Sequence, residues 1–118
     1  LCFVNLVDFD MLYGHRNDIE GYAKAATVFD EQLGTFLERM REDDVLFITA
    51  DHGCDPGYPG TDHTREQIPV MVCGAAVKAG VNLGTGNTYA NIGATVLDML
   101  GLKGNIKGES FYDRIAKL

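Results

Sequence analysis

The chain has 118 residues, with 10 Lys and Arg against 17 Asp and Glu, and a formal net charge of −7 at pH 7. With 46% hydrophobic and 23% charged residues, the composition is that of an ordinary globular protein and excludes disordered and collagen-like chains. The length predicts one domain with one core. Because no basic cluster is present, we expect no nucleic-acid partner. No apolar run approaches the roughly 20 residues that span a bilayer, so we expect no membrane partner.

The cysteines bear on the cellular compartment. Cys2, Cys54 and Cys73 are odd in number and form no C-x-x-C pair, which predicts reduced thiols in a cytoplasmic protein. Cys2 and Cys73 are expected to be small core residues within strands. The first residue is not Met and lies in a strand-like run, so we expect the chain to be part of a longer polypeptide.

Hydrophobic patterning predicts strands and helices that alternate along the chain. Strands are predicted at 1–7, 45–50 and 68–73, and 81–86 is ambiguous, with an edge segment as one interpretation. Helices are predicted at 19–41 and 88–100, and each carries an apolar stripe. Asp18 is the predicted N-cap of the first helix. The remaining segments, 8–16 and 52–67, are predicted to be loops, and the tail after 103 is weakly amphipathic.

This alternation predicts an α/β fold of βαβ units around a parallel sheet. Ligands of such sheets bind beyond the carboxyl ends of the strands. Both predicted loops, 8–16 and 52–67, directly follow a strand and carry acids and histidines. The loop at 52–67 is also long for a compact domain, and structureless loops of that length are usually functional. The sequence therefore predicts a functional site at this edge of the sheet.

All histidines of the chain lie in these two loops, and each has a carboxylate close in sequence. The pairs are Asp10 with His15, Asp51 with His52, and Asp62 with His63. Imidazole and carboxylate form the ligand set for Zn, Mn or Fe. One such pair would be explained by local capping, whereas three pairs at two strand ends favour a metal site.

A catalytic dyad without metal is the main chemical alternative. Ser110 is the only serine and lies in the tail. Cys54 shares one tight turn with His52, and no separate orienting partner is evident. The supply of nucleophiles is therefore poor.

The two arginines beside candidate ligands have two interpretations. Arg16 and Arg65 each follow a histidine within two positions. They could hold a phosphate through bidentate hydrogen bonds, or form ion pairs with Asp18 and Glu66.

Other polar residues of the loops are expected to have supporting roles. Thr61 and Thr64 are expected to hold the loop by side-chain hydrogen bonds rather than to react. Asp8, Asp55 and Asp62 are expected to support the ligands or to form turns.

Three segments carry a family resemblance. They are NLVDFDMLYGHR at 5–16, TADHGCDP at 49–56, and GTDHTRE at 60–66 with the Pro-Val pair that follows it at 69–70. Together they resemble the phosphopentomutases, a family of the alkaline phosphatase superfamily of two-metal enzymes. The resemblance runs from end to end and implies a doubly wound, mainly parallel sheet flanked by helices. Residues 1–118 would be the C-terminal portion of the metal-binding catalytic domain, with the N-terminal portion and the cap domain absent.

The resemblance also implies roles for five residues. Asp51 and His52 would bind one metal ion, and Asp10, His15 and His63 would bind the other. The two divalent ions, manganese in this family, would clamp the phosphoryl group that is transferred. The reaction would interconvert ribose or deoxyribose 1-phosphate and 5-phosphate in nucleoside catabolism.

The threonine that carries the phosphoryl group in this family has no match in the sequence. Thr49, Thr61 and Thr64 lie in no matching motif, so the chain alone is expected to be inactive and the parent protein to be the isomerase. An unpaired sheet edge and an exposed apolar face are expected as well. One alternative is another superfamily phosphotransferase, such as a cofactor-independent phosphoglycerate mutase. Another is a non-catalytic metal-binding module. The oligomeric state stays open.

Overall fold

The computed structural model describes residues 1–117 of the chain. Contacts divide these residues into two units, one of Leu1–Met40 with Ile48–Val70, the other of Arg41–Phe47 with the described residues from Met71 onward. The elements, in chain order, are a π-helical segment Phe9–Gly14, helix α1 Ile19–Leu37, strands β1 Leu46–Thr49 and β2 Val70–Cys73, and helices α2 Ala90–Met99 and α3 Tyr112–Ile115. Among the described helices, none combines the length and apolar character needed to cross a membrane.

The α/β class is confirmed, and its sheet here is the pair β1 and β2. The Thr49 hydroxyl at the end of β1 donates to the Pro69 carbonyl just before β2, with an O···O distance of 2.8 Å. At the opposite end, Gly74 lies against the backbone of Asp44. The strands therefore run antiparallel, in contrast to the predicted parallel pairing. The segment that connects β1 to β2 contains no crossover helix, and strands joined without such a helix pair antiparallel.

The predicted strand at 1–7 is wrong. Its apolar side chains are exposed, Leu1 by 94% and Phe3 by 86%, and Cys2 is exposed instead of lying in a core. A strand exists only through hydrogen bonds to a neighbour. Within the described residues, only two strands are present and neither pairs with this segment. The expected apolar exposure is confirmed.

The segment after Asp8 was predicted to be a loop and is instead helical with a wide turn. The amide of His15 donates to the Asp10 carbonyl, and the amide of Asp18 donates to the Tyr13 carbonyl, both at 2.9 Å. Hydrogen bonds that span five residues define a π-helix. Such helices are rare in proteins, and those that occur are often found at functional sites.

Helix α1 begins where the sequence predicts. The carboxylate of Asp18 accepts a hydrogen bond of 2.9 Å from the Gly21 amide, which confirms the N-cap. The helix ends at Leu37, four residues before the predicted end. Its contact with the π-helical segment includes an edge-to-face pair of Phe9 and Tyr22, with ring centroids 5.1 Å apart. The helix has no fully buried residue, and Phe36 on the predicted stripe is 52% exposed.

The second unit has its buried residues around α2 and the tail. Thr95 is fully buried, donates to the Asn91 carbonyl at 2.7 Å and accepts from the Phe111 amide at 3.0 Å. The unit's buried apolar residues are Val77, Ile115 and Ala116. Tyr89 and Leu100, which the predicted helix 88–100 includes, flank α2 and are more than half exposed. The ambiguous segment 81–86 forms no strand.

Candidate metal centre

The π-helical turn places Asp10 and His15 side by side. In an α-helix, residues five apart point in different directions, whereas the wider π turn returns them to nearly the same face. The Asp10 Oδ1 and His15 Nε2 atoms are 3.3 Å apart. Gly14, which ends this segment, is buried, and a Cβ there would overlap Cys54 Sγ and lie 2.9 Å from the Phe9 carbonyl oxygen.

The two histidines of the long loop are brought together by a backbone bridge. Gly53 and Thr64 pair in antiparallel fashion, and the Thr64 amide donates to the Gly53 carbonyl at 3.1 Å. The preceding residues, His52 and His63, stack with ring centroids 3.5 Å apart and planes inclined by 17°. The long loop is thus held closed beside the π-helical segment.

One oxygen lies at the centre of the cluster. Asp10 Oδ1 is 3.0 Å from His63 Nε2 and 3.9 Å from His52 Nε2. Asp10, His52 and His63 each offer a ligand atom, and these atoms lie within 4.8 Å of one another. The His15 Nε2 atom is 3.0 Å from the His63 Nε2 atom. Separations of this size suit groups that converge on a small cation.

Backbone carbonyls set the tautomers of two of the rings. His15 Nδ1 donates to the Thr61 carbonyl, and His52 Nδ1 donates to the Gly53 carbonyl at 3.0 Å. A carbonyl only accepts, so Nδ1 carries the proton in each ring. In the neutral imidazole, Nε2 then keeps its lone pair and faces Asp10. This arrangement is typical of histidines that bind metals.

The residues present fit a divalent cation. Among the described residues, Asp10 Oδ1 is shielded from solvent and yet accepts no hydrogen bond, which is costly for a carboxylate oxygen. The Nε2 atoms of His15 and His63 lie 3.0 Å apart beside this oxygen. A cation among these atoms would compensate the unpaired carboxylate oxygen. A carboxylate with imidazoles suits Mn, Zn or Fe.

Asp51 lies at the rim of this cluster. Its side chain is 81% exposed, and Oδ1 lies 3.5 Å from His52 Nε2. The structure thus places Asp51 next to His52, as the sequence pattern suggests. His52 in turn stacks on His63, so the residues of the two ligand sets implied by the resemblance lie in one cluster.

The supporting residues differ in their contacts. The Thr64 hydroxyl donates to Glu66 at 2.5 Å and accepts from the Asp55 amide at 2.8 Å, which confirms that it holds the loop. Asp55 also forms a turn by accepting from the Gly57 amide at 2.8 Å. Asp8, Arg16, Asp62 and Arg65 are exposed. Within residues 1–117, neither arginine makes the ion pair that was one of its interpretations.

Cys54 does not have the character of a nucleophile. Burial raises the pKa of its thiol, and the neighbouring Asp10 adds to the rise. A raised pKa lowers the fraction of reactive thiolate at neutral pH. All three cysteines are free.

The sequence reading missed Asn17. It lies two residues after His15, has a positive φ of 53°, and contacts three carbonyls of the long loop. The available signal was its residue type, since Asn is enriched among non-glycine residues with positive φ.

Comparison with known families gives the class of protein. Residues 1–104 match the model of the metalloenzyme superfamily. The chain belongs to this superfamily, whose members use divalent metal ions.

Curated relatives narrow the comparison. The phosphopentomutase of Lachnoclostridium phytofermentans is 58% identical over 117 residues, which cover 99% of this chain and 30% of that protein. The phosphopentomutase of Clostridium kluyveri is 56% identical with the same coverage. That of Acetivibrio thermocellus is 55% identical over 115 residues, 98% of this chain and 30% of the relative. The chain thus spans about 30% of the length of the relatives it matches.

Proposed function

We propose that the protein containing this chain is a phosphopentomutase, and that the chain supplies metal ligands of its catalytic domain. The cluster of Asp10, His15, His52 and His63 carries this proposal, because its donor atoms converge and leave the Asp10 oxygen without a hydrogen bond. The similarity to phosphopentomutases over 98–99% of the chain supplies the reaction. The substrate is then a pentose 1- or 5-phosphate, with ribose or deoxyribose as the sugar.

We assign the five candidate residues to two ions. Asp10, His15 and His63 hold one ion, and His52 with Asp51 contributes to the second, both ions being manganese. Bound divalent cations offset the charge of a phosphoryl group and orient it for in-line transfer. The chain's own contribution is orientation, since the carbonyls of Thr61 and Gly53 keep two Nε2 atoms free to coordinate.

The complete reaction belongs to a longer polypeptide. The sequence contains no match to the threonine that the resemblance implies as phosphoryl carrier. We therefore propose that the chain is the C-terminal portion of the catalytic domain and is inactive alone. The three free thiols are compatible with a reducing compartment such as the cytoplasm.

The test is an isomerase assay on the full-length polypeptide that carries this sequence. With Mn²⁺, it should interconvert ribose 1-phosphate and ribose 5-phosphate without net release of phosphate. His52→Ala should lower the rate by about 100-fold or more, because ligand loss disrupts charge neutralisation. Gln32→Ala, which changes an exposed polar side chain of α1, is the control and should keep the rate.

The alternatives predict different results. Phosphate release without isomerisation would indicate a phosphatase, and interconversion of phosphoglycerates would indicate a phosphoglycerate mutase. Metal binding without either reaction would indicate a non-catalytic module. Each of these results would overturn the proposal.

A further inference from the structure

Asn17 connects the two segments that carry the histidines. Its side-chain Nδ2 lies 3.1, 3.1 and 2.9 Å from the carbonyl oxygens of Pro56, Tyr58 and Gly60, and its two N–H groups donate to all three, one of them shared between two carbonyls. The backbone N–H of Asn17 donates to the Gly14 carbonyl at 3.1 Å, which anchors the residue to the end of the π-helical segment. One side chain therefore spans from the segment of His15 to successive turns of the long loop.

The position requires the properties of asparagine. The φ of 53° is left-handed, a region that Asn tolerates better than most residues other than glycine. Three carbonyl oxygens surround one nitrogen, so the donor end of the amide faces the loop. Aspartate would tolerate the backbone but would present only acceptors. Glycine would tolerate the backbone but would contribute no side chain.

The clamped loop leads directly to the metal cluster. Thr61 follows Gly60, and its carbonyl accepts the hydrogen bond from His15 Nδ1. His63 lies two residues further on, and its Nε2 is 3.0 Å from Asp10 Oδ1. The position of the loop at Gly60 therefore affects both the ring orientation of His15 and the approach of His63.

We propose that Asn17 is a positioning residue for the metal centre: its amide clamps the 56–60 loop so that His15 and His63 coordinate the same ion. This inference rests on the metal centre in the proposed function, and not on the identity of the substrate. The hydrogen bonds of the Asn17 side chain go to carbonyls of the loop and not to the candidate ligand atoms. It acts through the Thr61 carbonyl, which orients His15, and through the course of the chain to His63.

The test compares Asn17→Gly with Asn105→Gly in the full-length polypeptide. Glycine keeps the left-handed backbone, so the first change removes only the amide clamp. Asn105 is exposed and lies in the other unit, which makes it the matched control. The readouts are Mn²⁺ affinity by calorimetry, the visible spectrum of the Co²⁺-loaded protein, and hydrogen exchange of amides in residues 57–62.

We expect Asn17→Gly to weaken Mn²⁺ binding by about 10-fold to 100-fold, the usual effect of removing groups that orient metal ligands. The Co²⁺ spectrum should change because His15 or His63 shifts, and amides 57–62 should exchange faster. Asn105→Gly should match the wild type in all three.

Three results would overturn the proposal. Faster exchange with wild-type Mn²⁺ affinity and Co²⁺ spectrum would make Asn17 a loop stabiliser only. Unchanged exchange would show that the clamp does not hold the loop. Absence of Mn²⁺ binding by the wild type would remove the centre itself. Since no readout is the isomerase reaction, a different substrate would overturn the proposed function and leave this result standing.

Discussion

His52 and His63 stack face to face, with ring centroids 3.5 Å apart, although eleven positions separate them in the chain. The stack depends on the adjacent bridge between Gly53 and Thr64. Gly53 is the third residue of the Asp-His-Gly run, and its role is steric. Without a Cβ at this position, the backbone of the returning loop can approach closely enough to bring the second histidine to the first.

Gly53→Ala should therefore disrupt the candidate metal site by displacing the backbone of the loop. The new Cβ would lie 2.7 Å from the Thr64 carbonyl oxygen and 2.9 Å from the Glu66 amide nitrogen. Because backbone must move, we expect a loss of about 1–3 kcal/mol in the free energy of unfolding, together with weaker Mn²⁺ binding. Denaturant unfolding and calorimetry would measure both. Wild-type stability with full Mn²⁺ affinity would contradict the steric role.

Gly34→Ala should have the opposite effect on stability. Gly34 is exposed within α1, and a Cβ there would meet no atom within 4 Å. Alanine lowers the entropy cost of helix formation, so we expect a gain of about 0.5–1 kcal/mol. Thermal unfolding would detect it as a higher Tm. Gly34→Ala thus serves as the matched control for Gly53→Ala. A lower Tm for Gly34→Ala would contradict the open space that surrounds this position in α1.

Asp10→Asn should separate metal binding from folding. The Asp10 oxygen is buried without a hydrogen bond and is surrounded by imidazole nitrogens. Asparagine removes this unpaired charge, so the metal-free protein should be as stable as the wild type or more so. The rise in Tm that Mn²⁺ causes in the wild type should disappear.

Asp30→Asn, an exposed change in α1, is the control for this experiment and should keep the Mn²⁺-dependent rise in Tm. If Asp10→Asn destabilised the metal-free protein strongly, Asp10 would be a structural residue rather than a ligand.

Thr95→Val should destabilise the second unit. The hydroxyl of Thr95 is fully buried and links the Asn91 carbonyl to the Phe111 amide. Valine has nearly the same shape and would leave that amide without a partner, at a cost of about 1–3 kcal/mol. Thr85→Val at an exposed position should change the unfolding free energy by less than about 0.5 kcal/mol. Equal effects of the two changes would refute the role of the buried hydroxyl.

Asp44 should contribute to acid sensitivity. Its carboxylate accepts hydrogen bonds from the Arg41 amide at 2.9 Å and from the Arg41 guanidinium at 3.3 Å, and these bonds hold its pKa below the ordinary value of 3.8. A pKa lowered by folding adds stability above the unfolded value, and this contribution is lost as pH falls through the folded pKa.

The difference in stability between wild type and Asp44→Asn should therefore be constant above pH about 5 and shrink below pH 4. Acid titrations followed by circular dichroism would measure it. A difference independent of pH would show that the carboxylate charge plays no part.

The local elements were largely predictable from sequence. Helix α1 starts at its predicted cap because Asp18 satisfies an amide of the first turn, a purely local interaction. Strands β1 and β2 lie within their predicted ranges because apolar β-branched runs favour extended backbone. Residue types and spacing alone offered three Asp/His pairs, and the family resemblance selected five of their residues as candidate ligands. The structure brings four of these together, with Asp51 at the rim.

The predictions that were wrong concern interactions between residues that are distant in sequence. Residues 1–7 have strand-forming side chains, but a strand requires a neighbour, and none lies beside them among the described residues. The antiparallel direction of β2 was set by the course of the loop, which apolar patterning does not encode.

The sequence by itself determined which residues could bind a metal, because ligand chemistry belongs to side-chain type. Only the tertiary structure decided how they meet. The π turn aligns Asp10 with His15, the bridge at Gly53 stacks the other two histidines, and the amide of Asn17 links both segments. These features depend on backbone hydrogen bonds and on close approaches between segments some forty residues apart, which leave no periodic signal in the chain.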